Sequence, residues 1–239
     1  MARSPFERFL FLLSAPVCVS CRVRLQDDDI PFCHECYAKF KENKTRNCSR
    51  CSKLLSECDC STAFLRSHFI KRVVKVTRFL NRDEYLPTRS LIYSLKQDNR
   101  MDVLLLCADE LTHALSNANI TSDVILTNVP RRRHAIVKYG IDHSAELAKA
   151  VAERIGAKYM PILSSRAKIP QKNLDGVERF KNASFEVKHD HNLKGKRVVI
   201  IDDVITTGAS MAAAGSLIRS LGATDIIGAA LAIVYKDDE

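Results

Sequence analysis

The residues best suited to chemistry in this chain lie between Arg197 and Ser210, RVVIIDDVITTGAS. Asp202 and Asp203 are adjacent carboxylates, Thr206, Thr207 and Ser210 carry hydroxyls, and Gly208 stands among them. The apolar, β-branched run Val198 to Ile201 predicts a buried parallel strand that the two acids end abruptly. A helix is predicted to start near Ala209. Strand, polar loop and helix N-terminus, in that order, make the ligand-binding turn of an open α/β sheet. Two hydroxyls and the first helical N–H groups then converge on one point, where orphan donors and the helix dipole favour an anion such as phosphate. Carboxylates just before it suit the vicinal hydroxyls of a sugar. A phosphate cradle beside two hydroxyl acceptors describes a ribose 5-phosphate site. The alternative is a surface turn with a solvated acidic pair and a threonine N-cap.

The same stretch resembles the fingerprint of type I phosphoribosyltransferases, which bind phosphoribosyl pyrophosphate (PRPP). The resemblance runs through the strand, both acids, Thr206, Thr207, Gly208 and Ser210. It implies that Asp202, Asp203, Val204, Thr206, Thr207, Gly208, Ala209 and Ser210 line a PRPP site.

A second set of reactive residues lies at the other end of the chain. Eight of the nine cysteines precede residue 61: Cys18, Cys21, Cys33, Cys36, Cys48, Cys51, Cys58 and Cys60. Six of them form C-x2-C pairs and the last two a C-x-C. That spacing suits thiolates gripping a tetrahedral ion better than disulfides, and the segment has too few large apolar residues to fold without a staple. Eight thiolates make two closed, structural zinc sites. Chain order gives Cys18, Cys21, Cys33 and Cys36 to one ion and Cys48, Cys51, Cys58 and Cys60 to the other, though interleaved pairing fits the spacing too. His34, inside a C-x2-C, reads as a surface residue, Asp27 to Asp29 as a solvated turn, and Cys107 as a buried small hydrophobe.

These sites need elements to carry them. The chain has 239 residues, 46% of them hydrophobic, which allows a sizeable core in one large domain or two smaller ones. A net charge of +9 and a pI near 9.1 favour anionic partners without choosing among phosphorylated metabolites, nucleic acid and membrane surface. No run reaches the length of a membrane span. Phe9 to Leu13 is too short for a signal peptide and has a poor cleavage site at Pro16 and Val17, so it is read as a short amphipathic helix, and the protein as cytoplasmic.

Composition changes after Cys60, with Ser61 to Ala63 as a linker. The division is a zinc module at 1–64 and a second domain at 65–239, with the apolar strands of that domain's core all after residue 65. His68 to Phe79 reads as an edge strand guarded by Lys71, Arg72, Lys75 and Arg78, or as a nucleic-acid face. Ser90 to Lys96 and Asp102 to Leu115 predict helices broken near Asn99 or Arg100, and Asp123 to Val129 a buried strand. Pro130 and the arginines 131–133 follow as a loop at the carboxyl end of that strand, where guanidinium groups suit phosphate oxygens. Ser144 to Ile155 predicts an amphipathic helix, Lys158 to Leu163 a short strand, Met211 to Leu221 a helix ended by Gly222, and Asp225 to Tyr235 a long strand.

The whole chain resembles the ComF family of competence-associated, phosphoribosyltransferase-like proteins. The residues that carry this are the cysteine segment, Val129 and Pro130, then Tyr139 to His143 before Glu146, Leu147 and Ala148, and then Arg166, Gln171, Leu174, Glu178, Arg179, Asn182 and Phe185. The resemblance implies a type I phosphoribosyltransferase fold, a parallel sheet flanked by helices, behind an N-terminal double zinc ribbon. It makes Val129 to Arg133 a pyrophosphate loop, with Pro130 and Arg131 at PRPP. Arg166 to Arg179 becomes a closing lid that includes Gln171 and Lys172. The polar, aperiodic character of Ser164 to Gly176 agrees with a lid. The implied chemistry is phosphoribosyl transfer from PRPP and Mg2+, with Asp202, Asp203 and Arg131 catalytic and an acceptor that no residue identifies. The competing expectation is a non-enzymatic accessory of DNA uptake or repair. It would bind single-stranded DNA through the zinc module and the basic strand, alongside competence proteins.

Overall fold

The computed structural model describes residues 16–25, 30–165, 185–189 and 191–234. In chain order the elements are α1 (His34–Lys44), α2 (Ala63–Ser67), β1 (Ile70–Arg78), α3 (Leu86–Gln97), α4 (Met101–Asn117), β2 (Ile125–Asn128), α5 (Arg133–Tyr139) and α6 (His143–Ile155). They continue as β3 (Lys158–Tyr159), β4 (Leu163–Ser165), β5 (Phe185–Val187), β6 (Arg197–Ile205), α7 (Ala209–Ser220) and β7 (Asp225–Ile233). Five strands form a parallel sheet in the order β1-β7-β6-β2-β3, and β4 and β5 pair as an antiparallel ribbon.

Helices cover both faces, as a parallel sheet requires. Val199 and Ile201 of β6 pack with α1, α3, α4 and α6, while Val198 and Ile200 pack with α2 and α7. All four are fully buried, each stabilising by roughly 1.5–3 kcal/mol. That total outweighs the few kcal/mol lost by holding two carboxylates further along the same strand.

The structure differs from the sequence-based expectation in several places. β6 does not end at the acids: it runs on to Ile205, because β7 offers Ala230, Ala232 and Ile233 as further ladder partners. The arginines 131–133 are not all loop. Arg133 opens α5, a run of helix formers closed by Gly140 in the left-handed conformation. Lys158 to Leu163 is not one strand, since Pro161 cannot donate to a ladder and separates β3 from β4. The segment read as a linker is packed: Ser61 is buried and donates to Ile70 O at 2.7 Å, and Thr62 caps α2.

Lys75 is corrected most sharply. It stands on an edge strand, as expected for β1, but it is 0% exposed and guards nothing. Arg72 pairs with Asp59 at 2.7 Å and donates to Ala118 O, and Arg78 donates to Asn47 O. Only Lys71 of the four basic residues points freely outward. Cysteine-segment backbone covers the edge instead: Asp59 O accepts from Val73 N at 2.9 Å, and Cys60 bridges to Arg72. Phe9 to Leu13, Asp27 to Asp29, the lid residues Arg166, Gln171, Lys172 and Arg179, and Tyr235 lie outside the described residues.

Candidate functional site

Strand order fixes where the sheet can bind a ligand. β2 leads through α6 outward to β3, and β6 leads through α7 outward to β7 on the opposite side. Their carboxyl ends therefore part at a topological switch point, leaving a crevice between two loops. Asn128 pairs with Ile201, and Val129 N donates to Ile201 O at 2.9 Å. This register sets Pro130 and Arg131 beside the level of Asp202 and Asp203, with Thr206 to Gly208 at the other lip.

Alternation along β6 separates the two acids, since successive side chains point to opposite faces. Asp203 turns toward α3, where Lys96 Nζ pairs with its Oδ1 at 2.9 Å. Asp202 turns to the other face and accepts from Asp203 N at 2.9 Å. Burial of its carboxyl, with the Asp203 charge next to it, pushes Asp202 up to about 8, opposed by Lys96 and Arg131. Asp202 keeps part of its surface open to solvent even so.

That shift gives a pH dependence of defined sign. An unfolded aspartate titrates near ~3.9, so the folded state holds this proton more tightly. The group's unfavourable contribution grows as pH rises and levels off only above about 8. Asp202→Asn is therefore expected to raise the melting temperature more at pH 9 than at pH 6. Thermal unfolding with an equal gain at both pH values would show that the carboxylate is not so held.

Arg131 is held in place by a chain of contacts. Its Nη1 lies 2.7 Å from His143 Nδ1, and His143 Nε2 lies 2.7 Å from Asn99 Oδ1. Because the guanidinium can only donate, Nδ1 accepts and Nε2 carries the proton toward Asn99. Burial, then Arg131, lowers the His143 pKa, which keeps the ring neutral in this role. Asp142 caps α6 through Ala145 N at 3.2 Å.

The phosphate-type loop depends on Gly208. Its φ is +78°, and a Cβ there would stand 2.9 Å from Leu65 Cδ2 of α2. Thr207 Oγ1 accepts from Ala209 N at 3.3 Å, and the other N–H groups opening α7 face the loop. Gly208→Ala combines left-handed strain with a clash and should cost roughly 1–3 kcal/mol. A urea midpoint equal to that of the parent protein would show that the loop accommodates the methyl group.

The cysteines form two further sites. The sulfurs of Cys18, Cys21, Cys33 and Cys36 lie within 4.8 Å of one another, and so do those of Cys48, Cys51, Cys58 and Cys60. Cys21 and Cys33 sulfurs are 3.6 Å apart, those of Cys51 and Cys58 3.5 Å. Tetrahedral bonds of ~2.3 Å to zinc would set sulfurs about 3.8 Å apart, so both donor sets fit zinc. Each site uses a similar turn. Arg22 and Ser52, just after the second cysteine, take φ of 65° and 60°, and their N–H groups donate to Cys18 O and Cys48 O. Burial opposes ionisation of Cys18 and Cys48, yet backbone N–H donors bring both down to about 7. Such donors favour a thiolate ligand. The first site adds the N-terminus of α1 through Cys33 and Cys36, and the second adds the extended stretch along β1. His34 is exposed and belongs to neither group, and Cys107 is buried in the core.

Sequence reasoning missed Lys96, His143 as the support of Arg131, and Lys75 as a neighbour of the cysteines. Each was legible as a charged or polar residue on a predicted element, but pairing across elements leaves no trace in local spacing.

Residues 139–238 match the profile of the phosphoribosyl transferase domain. The match covers the carboxyl-terminal part of the chain, with Asp202 to Ser210 inside it and Pro130 and Arg131 ahead of it. The adenine phosphoribosyltransferase of Parafrankia sp. is 38% identical over 87 residues, 36% of this chain and 46% of that protein. The ribose-phosphate pyrophosphokinase of Saccharolobus solfataricus is 40% identical over 84 residues, 35% of this chain and 25% of that one. The chain thus spans about half or less of the curated relatives it matches. Among solved structures, it is similar to the purine phosphoribosyltransferase from Pyrococcus horikoshii Ot3, with 23% identity, a TM-score of 0.35, and coverage of 53% of this chain and 68% of that one. No helix among the described residues is long and apolar enough to cross a membrane.

Proposed function

We propose that this chain binds PRPP with Mg2+ at Asp202 to Ser210 and transfers its phosphoribosyl group to an acceptor. The observation that carries this reading is that the domain match contains the β6 loop, which forms one lip of the switch-point crevice. Thr206, Thr207, Gly208, Ala209 and Ser210 would hold the 5-phosphate by hydroxyls and helical N–H groups. Val204, between the acids and this loop, packs against the buried core. Asp203, which pairs with Lys96, and Asp202 would accept from the ribose hydroxyls, and the Asp203 carboxylate would oppose the positive charge developing at C1.

In the transfer the bond from C1 to the pyrophosphate oxygen breaks and a bond from C1 to the acceptor forms. Pyrophosphate leaves with the electron pair. Pro130 shapes the loop in which Arg131, steadied by His143, would neutralise that leaving charge. Mg2+, carried mainly by PRPP itself, would supply further charge neutralisation to the leaving group. Arg166, Gln171, Lys172 and Arg179 are proposed to close over the site and exclude water.

Residues 1–64 are proposed as a module holding two structural zinc ions, and residues 65–239 as the transferase part. Thiolate zinc sites suit a reducing compartment, which supports a cytoplasmic location. The cysteine segment ahead of the domain supports placing the chain among ComF-like proteins. The role in DNA uptake implied by that resemblance has less support from the basic strand, where Lys75, Arg72 and Arg78 are engaged internally.

Pyrophosphate release from PRPP and Mg2+, measured with a panel of purine and pyrimidine bases and with single-stranded DNA, tests the transfer step. Release that requires one acceptor supports the reading. Release with none, under saturating PRPP, would leave a protein that binds PRPP without transferring it.

A further inference from the structure

The most costly buried group lies far from the crevice loop in sequence. Lys75 has no exposed surface, and an ammonium is buried only where a counter-charge meets it. Its Nζ lies 3.0 Å from Cys58 Sγ, 2.9 Å from Cys60 O and 3.2 Å from Val73 O. Among the described residues no carboxylate pairs with it. The two carbonyls are neutral, so the cysteine sulfurs must supply the counter-charge. Four thiolates on one Zn2+ carry a net charge of −2, which an adjacent ammonium halves. The first cluster is built differently. No side-chain cation donates to its sulfurs among the described residues, and Cys21 is exposed with Cys33 half-buried beside it.

We propose that Lys75 is a positioning residue of the second metal site, donating a hydrogen bond to the zinc-bound Cys58 thiolate, and that the two sites are therefore unequal, the first being where thiol-reactive agents enter and zinc leaves first. This rests on the zinc reading above. The reaction is ordinary thiolate chemistry. A cysteine sulfur of the first site attacks an electrophilic carbon, a C–S bond forms as the S–Zn bond breaks, and the zinc passes to a chelator. With a maleimide, the carbanion formed takes its proton from water. At the second site the Cys58 lone pair is engaged by an ammonium within the fold, so it is both less nucleophilic and less accessible.

The test uses the full-length chain purified under reductant, with its zinc content measured first. Fewer than two ions per chain at that stage would count against the zinc reading itself, before this proposal is reached. In a competition titration with a chromogenic chelator, Lys75→Met should release one of the two ions at about 10–100-fold lower chelator concentration, with the other unchanged. In the cobalt-substituted protein the thiolate-to-metal charge-transfer band should move to lower energy in Lys75→Met and partly return in Lys75→Arg. An unchanged competition curve and an unmoved band would overturn the proposal. If Lys75→Met does not fold, the parent protein still decides. Labelling with N-ethylmaleimide, mapped by mass spectrometry, should reach Cys21 and Cys33 before Cys58 and Cys60, in step with the first zinc released. Labelling of the second cluster first, or of both together, would overturn it.

Discussion

Stripping the proposed zinc from this chain should unfold the sheet as well as the cysteine segment. Cys18, Val19, Phe32, Cys36 and Phe40 belong to the same buried cluster as Val74, Leu91, Leu111 and Val199, and Cys48, Leu55 and Cys58 to the same cluster as Val73, Ile200 and Met211. The cysteine segment thus shares both buried clusters with the strands after residue 65, and it also covers the β1 edge. Structural zinc contributes apparent binding energies of about 10–16 kcal/mol, against a typical domain stability of about 5–15 kcal/mol. Losing both proposed ions is therefore enough to abolish the fold. Complete chelation of the parent protein should give one cooperative loss of helix and strand signal by circular dichroism. A chelated protein that kept its sheet signal and melted as before would show that the two parts fold independently.

The second large effect concerns the crevice. Asp203→Ala removes a charged hydrogen-bond acceptor and strands Lys96, whose ammonium now has Asp203 at 2.9 Å. Charged hydrogen bonds are worth roughly 1.5–3 kcal/mol each, so PRPP affinity should fall about tenfold or more. Thr207→Val should have a similar effect for two reasons: it deletes a proposed phosphate donor, and it removes the acceptor for Ala209 N that shapes the first turn of α7. Lys96→Met should weaken PRPP binding less than Asp203→Ala, because the carboxylate itself remains. Titration of PRPP into each variant separates these cases. Equal affinity in Asp203→Ala and the parent would remove Asp203 from the site.

Much of this was legible in the sequence because it is encoded locally. An apolar β-branched run, a loop of hydroxyls and glycine, and a helix start sit within one short stretch, so β6, its loop and α7 follow from periodicity and turn chemistry. Cysteine spacing likewise carries the two clusters, since paired ligands on one tight turn are neighbours in the chain. Continuation of β6 beyond the acids was not legible, for it depends on the small partners Ala230 and Ala232 on another strand. The reading of Lys75 as an edge guard failed for the same kind of reason. A lysine in an alternating basic strand looks solvated until the segment covering that edge brings a cysteine cluster to it. Arg131 follows from its place after a strand, but the histidine that steadies it stands in the sequence only as one residue of a resembled motif.

The central claim is that PRPP binds the crevice between the β2 and β6 loops. Isothermal calorimetry of the zinc-loaded parent chain with PRPP and Mg2+ tests it most directly. One saturable site per chain is expected, with ribose 5-phosphate binding more weakly to the same site. A folded, zinc-loaded chain that gave no heat and no thermal shift at millimolar PRPP would contradict it.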